Sequence, residues 1–136
     1  MTQKNLYTIF IVVFAMMLFC STVKADVQPD SLLFIQDYSS SIFINSNNNV
    51  VITGWTRTFS SVNEVSATIY LQRWNGSHWV TIASWRGSST NDRYAIVSRE
   101  VIPAKGYYYR VAALHEAKQG SVTERVTSLT GHVFYN

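Results

Sequence analysis

Residues 69–82 read Ile-Tyr-Leu-Gln-Arg-Trp-Asn-Gly-Ser-His-Trp-Val-Thr-Ile, and their reading decides the fold. Asn75-Gly76 sits between two runs of alternating apolar and polar residues, the strongest short-range signal for a β-hairpin closed by a two-residue type I′ turn. That turn sets Trp74 opposite Ser77 and predicts a register by counting outward: Gln72 with Trp79, Leu71 with Val80, Tyr70 with Thr81, Ile69 with Ile82, Thr68 with Ala83 and Ser66 with Trp85. Side chains alternate between faces along a strand. Ile69, Leu71, Val80 and Ile82 then share an aliphatic face that reads as core. The other face carries Tyr70, Trp74, Trp79 and Trp85 among Gln72, Thr68 and Thr81. A slip of one residue exchanges the two faces, so the aliphatic set is what fixes the register. Asn75-Gly76-Ser77 also matches a glycosylation acceptor, which matters only in a glycosylating host.

Outward from this hairpin the chain repeats the same grammar. Short segments rich in Val, Ile, Tyr, Trp and Thr alternate with clusters of Ser, Asn and Gly, the pattern of strands and turns. The strands predicted are 41–45, 50–58, 66–74, 78–85, 94–102, 107–115 and 122–135, the last in one piece or two. Turn signals fall at Asn47-Asn48-Asn49, Ser60 to Asn63, Gly87 to Asp92, Pro103 to Gly106 and Lys118-Gln119-Gly120. No window beyond the N-terminal segment sustains a 3.6-residue apolar period. The expectation is an all-β domain, an antiparallel β-sandwich of about seven strands, with a barrel of the same strand count as the alternative.

Tyr107-Tyr108-Tyr109-Arg110-Val111-Ala112-Ala113 resembles strand F of fibronectin type III and related bacterial immunoglobulin-like domains, and residues 71–80 resemble their C–C′ hairpin. The resemblance implies that Tyr107, Tyr109, Val111 and Ala113 point inward, with Tyr107 as the tyrosine-corner residue. It places Tyr108 and Arg110 outward, beside Tyr70 and Trp79. Taken whole, with Tyr70–Ser77 and Gly106–Val111 as the shared segments, the chain is similar to a family of small secreted proteins of Gram-positive bacteria with no assigned activity. That likeness implies a fold and a destination, and no chemistry.

The N-terminal segment has a different logic. Lys4 precedes an apolar run from Leu6 to Phe19, and Val23 and Ala25 stand at the −3 and −1 positions of a cleavage between Ala25 and Asp26. This is the layout of a secretory signal peptide, a helix over residues 1–25, followed by a single domain over 26–136. The run is shorter than the roughly 20 residues that span a bilayer, so no membrane attachment is expected after cleavage. Cys20, the only cysteine, falls in the signal. Phe19 before it does not suit lipidation, and the exported chain is left without disulfide or thiolate. Loss of Lys4 and Lys24 leaves nine basic and eight acidic residues, a net charge of +1. The arginines are scattered, which argues against nucleic acid, since that partner needs a basic patch or stripe.

Catalytic constellations are not found. His78, His115 and His132 have no metal-ligand spacing and read as solvent-facing or locally bonded. No pair among Asp26, Asp30, Asp37, Glu64, Asp92, Glu100, Glu116 and Glu124 is nominated by spacing as the flanking carboxylates of a glycosidase. No nucleophile elbow, phosphate loop or calcium loop is present. The expectation is therefore a secreted, non-enzymatic protein with no cofactor and no metal, its oligomeric state open. Its site is an aromatic sheet face of Tyr70, Trp74, Trp79, Trp85, Tyr108 and Arg110 that binds a cell-surface glycan or protein, since Trp, Tyr and Arg dominate binding hot spots. Cross-strand aromatic pairs also stabilise sheets with no ligand involved, and Leu32-Leu33-Phe34-Ile35 is apolar enough to cover some of the rings. A small secreted effector or inhibitor is the alternative, and a hydrolase assembled from distant strands is the third reading.

Overall fold

A computed structural model describes residues 31–136. The signal segment 1–25, Cys20 and the Ala25–Asp26 junction lie outside the described residues.

The described chain is all-β and antiparallel. It has six strands: β1 (Ile35–Ile44), β2 (Val50–Trp74), β3 (Trp79–Val101), β4 (Tyr107–Gln119), β5 (Val122–Leu129) and β6 (Val133–Tyr135). The order along the sheet is β1-β2-β4-β5, with β3 on the other side of β2 and β6 beside β4. The count differs from the expected seven because β2 and β3 each run through a segment predicted as a turn. The Ser60–Asn63 and Gly87–Asp92 clusters bend the strands without ending them. The β2–β3 ladder lapses only between the Arg57↔Tyr94 and Val62↔Asp92 pairs.

That bend doubles the long hairpin back on itself. The first half of β2 pairs with β1, its second half with β4, and β3 follows both halves. Two glycines allow the close approach. A Cβ on Gly54 would stand 2.5 Å from Ile69 Cγ2, and one on Gly87 would stand 2.2 Å from the backbone oxygen of Ile96. The first is a contact between the halves of β2, the second a contact of β3 with itself.

Between the two halves lies the core. One cluster joins Val50 and Ile52 to Ala67, Ile69, Leu71, Val97, Tyr109, Val111, Ala113 and Tyr135. A second, nearer the bend, holds Ile35, Val62, Val65, Ala95, Ala117 and Val126, with Leu32, Phe34 and Tyr38 packed against it. Leu32, Phe34 and Ile35 are thus spent on this core, Leu33 is exposed, and the segment does not cover the aromatic face. It is held there by Glu124, whose carboxylate accepts from the backbone N–H groups of Phe34 (3.1 Å) and Ile35 (2.9 Å).

Inward alternation of β4 holds at Tyr109, Val111 and Ala113. Tyr107 lies past the end of the core and is 40% exposed. The Tyr109 hydroxyl, and not that of Tyr107, bonds back to the chain, donating to the Ala104 carbonyl at 2.6 Å across the loop that enters β4. Burial pushes the Tyr109 phenol above its ordinary range.

His115 corrects a second expectation. It continues the inward series of β4 and is fully buried. The Thr56 hydroxyl donates to the Ser66 carbonyl (2.8 Å), so its oxygen accepts from His115 Nδ1–H (2.9 Å). Nε2 is then the acceptor for the Ser128 hydroxyl (2.8 Å), which in turn meets the Ser40 hydroxyl (2.8 Å). This chain ties β1, β2, β4 and β5 together through the core, and burial lowers the His115 pKa to about 4.

Candidate functional site: an aromatic and cationic sheet face

The hairpin that organises the site is closed less tightly than its Asn-Gly centre predicts. The Asn75 side-chain oxygen accepts from the N–H groups of both Ser77 (2.9 Å) and His78 (2.8 Å), and Asn75 N–H donates to the His78 carbonyl (3.2 Å). Binding both amides widens the connection to four residues, so Trp74 pairs with Trp79 and Gln72 with Thr81. One further irregularity follows: Leu71 pairs with Ala83, which leaves Ile82 as an extra, unpaired residue. A bulge of this kind exchanges the faces of everything beyond it.

The consequences divide the predicted site. Trp85 pairs with Ile69 and packs against the main core cluster, so it leaves the outer face. Val80 and Ile82, read as core, are exposed. Ile69 and Leu71 are buried as expected, and Tyr70, Trp74, Trp79, Tyr108 and Arg110 share the outer face of the β3-β2-β4 sheet. Of the six candidates, the structure brings five together.

Register arranges them in rows. Trp79, Trp74, Tyr108 and Phe134 run across β3, β2, β4 and β6 near the hairpin end, and Thr81, Gln72 and Arg110 form the next row. Arg110 is the centre. Its Nε donates to Gln72 Oε1 at 2.8 Å, Gln72 Nε2 donates to Thr81 Oγ1 at 3.3 Å, and the guanidinium lies 4.4 Å from the Trp79 ring centroid. Around it the rings touch in sequence: Trp74–Trp79 at 5.4 Å, Trp79–His132 at 6.1 Å, His132–Tyr108 at 5.2 Å and Tyr108–Phe134 at 5.0 Å. The planes are inclined to one another by 56°, 40°, 88° and 55° respectively, so no neighbouring pair forms a flat platform.

Sequence reasoning missed His132 and Phe134. The turn at Thr130-Gly131 that returns the chain to β4 was readable only as a split in the last strand. Gln72 was seen as a polar neighbour, while its role in aiming Arg110 depends on the β2–β4 register.

Farther along the same face the chemistry changes. Glu116 accepts from Arg125 Nε (2.7 Å) and Arg86 Nη1 (3.5 Å), and Arg86 also pairs with Glu64. These side chains rim a shallow groove together with Lys118, Thr123 and Ser66, whose buried hydroxyl has no hydrogen-bond partner.

No group of three or more His, Cys, Asp or Glu among the described residues is placed to hold a metal. The His115–Ser128 contact has the length of a base–nucleophile pair. However, the imidazole is a weak base with a pKa near 4, and its Nδ1 partner is the Thr56 hydroxyl rather than a carboxylate.

These features define an all-β protein with an exposed aromatic face built round one positioned arginine. The chain belongs to DUF6147, a family of unknown function whose model matches residues 31–132. No curated protein matches it. No solved structure matches it either.

Proposed function

We propose that this chain is an exported, non-enzymatic binding protein of immunoglobulin-like β-sandwich build, which presents the face centred on Arg110 to a glycan or protein at a cell surface. The doubled-over sheet and the Tyr109 hydroxyl bonded back to Ala104 support the sandwich reading, since a tyrosine corner makes the same backward bond. The N-terminal layout supports export.

One observation carries the binding reading. Arg110 is oriented before any ligand arrives, by Gln72 below it and Trp79 beside it, while the adjoining Tyr108 and Phe134 stay 44% and 45% exposed. A rigid, ordered arginine among half-exposed rings loses little entropy on binding, and Trp, Tyr and Arg are the residues that carry interface energy. The inclined rings offer edges and faces in alternation, which suits the uneven surface of a protein better than a flat polysaccharide chain.

The test is capture of cell-envelope fractions and glycan-array binding, with affinity then followed by tryptophan fluorescence. Trp79→Ala is expected to keep the fold and weaken binding about thirtyfold, the effect of losing one hot spot of roughly 2 kcal/mol. A Trp79→Ala protein that keeps both its fold and its full affinity removes this face from consideration.

A further inference from the structure

The opposite layer carries a second cluster. Arg57 stands near two rings, its guanidinium carbon 5.6 Å from the Trp55 centroid and 5.9 Å from that of Tyr94, and the two rings lie 6.2 Å apart. Arg93 is anchored by its Nε to the Thr58 carbonyl at 3.3 Å, which leaves both Nη groups free to bind. Arg57, Arg93, Tyr94 and Gln36 line one open pocket of about 480 Å³.

Two irregularities meet at this pocket, and a third lies two residues before Arg93. Gln36 is the unpaired residue of a bulge between the Ile35↔Thr58 and Asp37↔Arg57 pairs. Arg93 lies in the gap of the β2–β3 ladder between Asp92 and Tyr94. Asn91 has φ of 51°, in the left-handed region. Bulges re-aim side chains and concentrate beside functional sites. Here the irregularities bring Gln36 and Arg93 to the same pocket as Arg57.

These arginines are not locked into ion pairs. Neither Arg57 nor Arg93 forms an ion pair among the described residues, in contrast to Arg86 and Arg125. Two acids flank them, Asp37 opposite Arg57 in the β1–β2 ladder and Asp92 next to Arg93, and each turns one oxygen to a backbone amide. Asp37 accepts from the Tyr38 N–H (2.9 Å) and Asp92 from the Arg93 N–H (2.6 Å).

We propose that this pocket is a binding site for an anionic saccharide. Arg57 and Arg93 grip the oxyanion, Gln36 bonds a hydroxyl, and the sugar ring lies against Tyr94, which Trp55 adjoins outside the pocket. Two guanidiniums with free forked donors match a phosphate, sulfate or carboxylate. The adjoining rings supply an apolar surface that the C–H face of a sugar fills and a bare inorganic anion does not. The site is separate from the Arg110 face and does not depend on its ligand.

The experiment uses the secreted protein with glucose 6-phosphate, glucose and inorganic phosphate as probes, followed by tryptophan fluorescence and by amide chemical-shift mapping. Glucose 6-phosphate is expected to bind at least about tenfold more tightly than phosphate, with glucose weaker still, because ring and oxyanion contacts add. Shifts should centre on residues 55–57 and 93–94. Arg57→Gln and Arg93→Gln should each lose binding, and Arg57→Lys should recover only part of it, because an ammonium lacks the planar fork. Trp79→Ala should bind the sugar phosphate as the parent does, which separates this site from the Arg110 face. Equal affinity for phosphate and glucose 6-phosphate overturns the saccharide assignment. Absence of shifts at 55–57 and 93–94 overturns the site, a readout that needs no variant to fold.

Discussion

The two outer surfaces of the doubled sheet each set an arginine on aromatic rings, and they do so to different ends. Arg110 lies 4.4 Å from Trp79 and gives its Nε to Gln72. Arg57 stands near Trp55 and Tyr94 at 5.6 and 5.9 Å and forms no ion pair among the described residues, although Asp37 is its cross-strand neighbour. The first arginine is partly satisfied by the protein, and its rings provide the exposed area. The second retains its donors, and a pocket takes the place of the ring cluster. The same pair of residue types therefore underlies the proposed contact surface on one side and the proposed anion site on the other, and hydrogen-bond satisfaction is what tells them apart.

Both surfaces exist because the β2–β3 hairpin folds over, so the largest effect is expected where that fold is tightest. Gly87→Ala drives a methyl group into the Ile96 carbonyl, which is backbone and has nowhere to go. The expected loss is about 3 kcal/mol or more, at or beyond the upper end of ordinary overpacking. Gly54→Ala meets the Cγ2 methyl of Ile69, a side-chain atom that can give more readily than backbone. Its cost should be smaller, about 2 kcal/mol. Urea denaturation of both variants measures the difference. If Gly54→Ala proves the more damaging, the halves of β2 rather than the self-contact of β3 set the fold.

His115 joins the layers chemically, through Thr56 on one side and Ser128 and Ser40 on the other. Its pKa is about 4 in the folded protein against 6.5 for a free histidine. The unfolded chain therefore binds the extra proton first. The stabilisation is complete above pH 6.5, declines as the pH falls below it, and is lost once the pH passes below 4. The linked loss is about 3 kcal/mol at most. Stability between pH 7 and 5, where most carboxylates stay ionised, should fall with a slope that grows toward one proton near pH 5, and His115→Gln should flatten that slope. An unchanged slope in the variant assigns the pH dependence elsewhere.

What the sequence disclosed and what it hid have one cause. Alternation is local, so Ile69 and Leu71 inside, and Tyr70 and Trp74 outside, are legible from period two, while the outward placement of Tyr108 and Arg110 follows from the resemblance to strand F. Relations between strands depend on how many residues a turn or bulge absorbs. Asn75 was rightly read as a turn residue, but its side chain captures two amides and widens the loop. The unpaired Ile82 carries no signature, and it is what sends Trp85 inward and Ile82 out. His115 was read as the end of a strand because histidine is polar. Only the continued inward series of Tyr109, Val111, Ala113 and Ala117 places it in the core. The Arg57 pocket was illegible for the same reason, since it is assembled from a bulge and a ladder gap.

The smallest effect is the one that separates the two arginines most directly. Arg110→Ala removes a stacked guanidinium and a hydrogen bond to Gln72, leaving the Gln72 carbonyl oxygen without this donor. The expected destabilisation is about 1 kcal/mol, the scale of one cation–π contact with a modest hydrogen bond. Arg57→Ala gives up a looser contact and should stay within about 0.5 kcal/mol of the parent, as exposed substitutions usually do. Under increasing salt the Arg110 effect should persist, because it is short-range packing. Sugar-phosphate binding at Arg57 should weaken, because it is a charge interaction open to solvent. If the stability order is reversed, Arg57 is a structural residue held by its rings, and its donors are not kept free for a ligand.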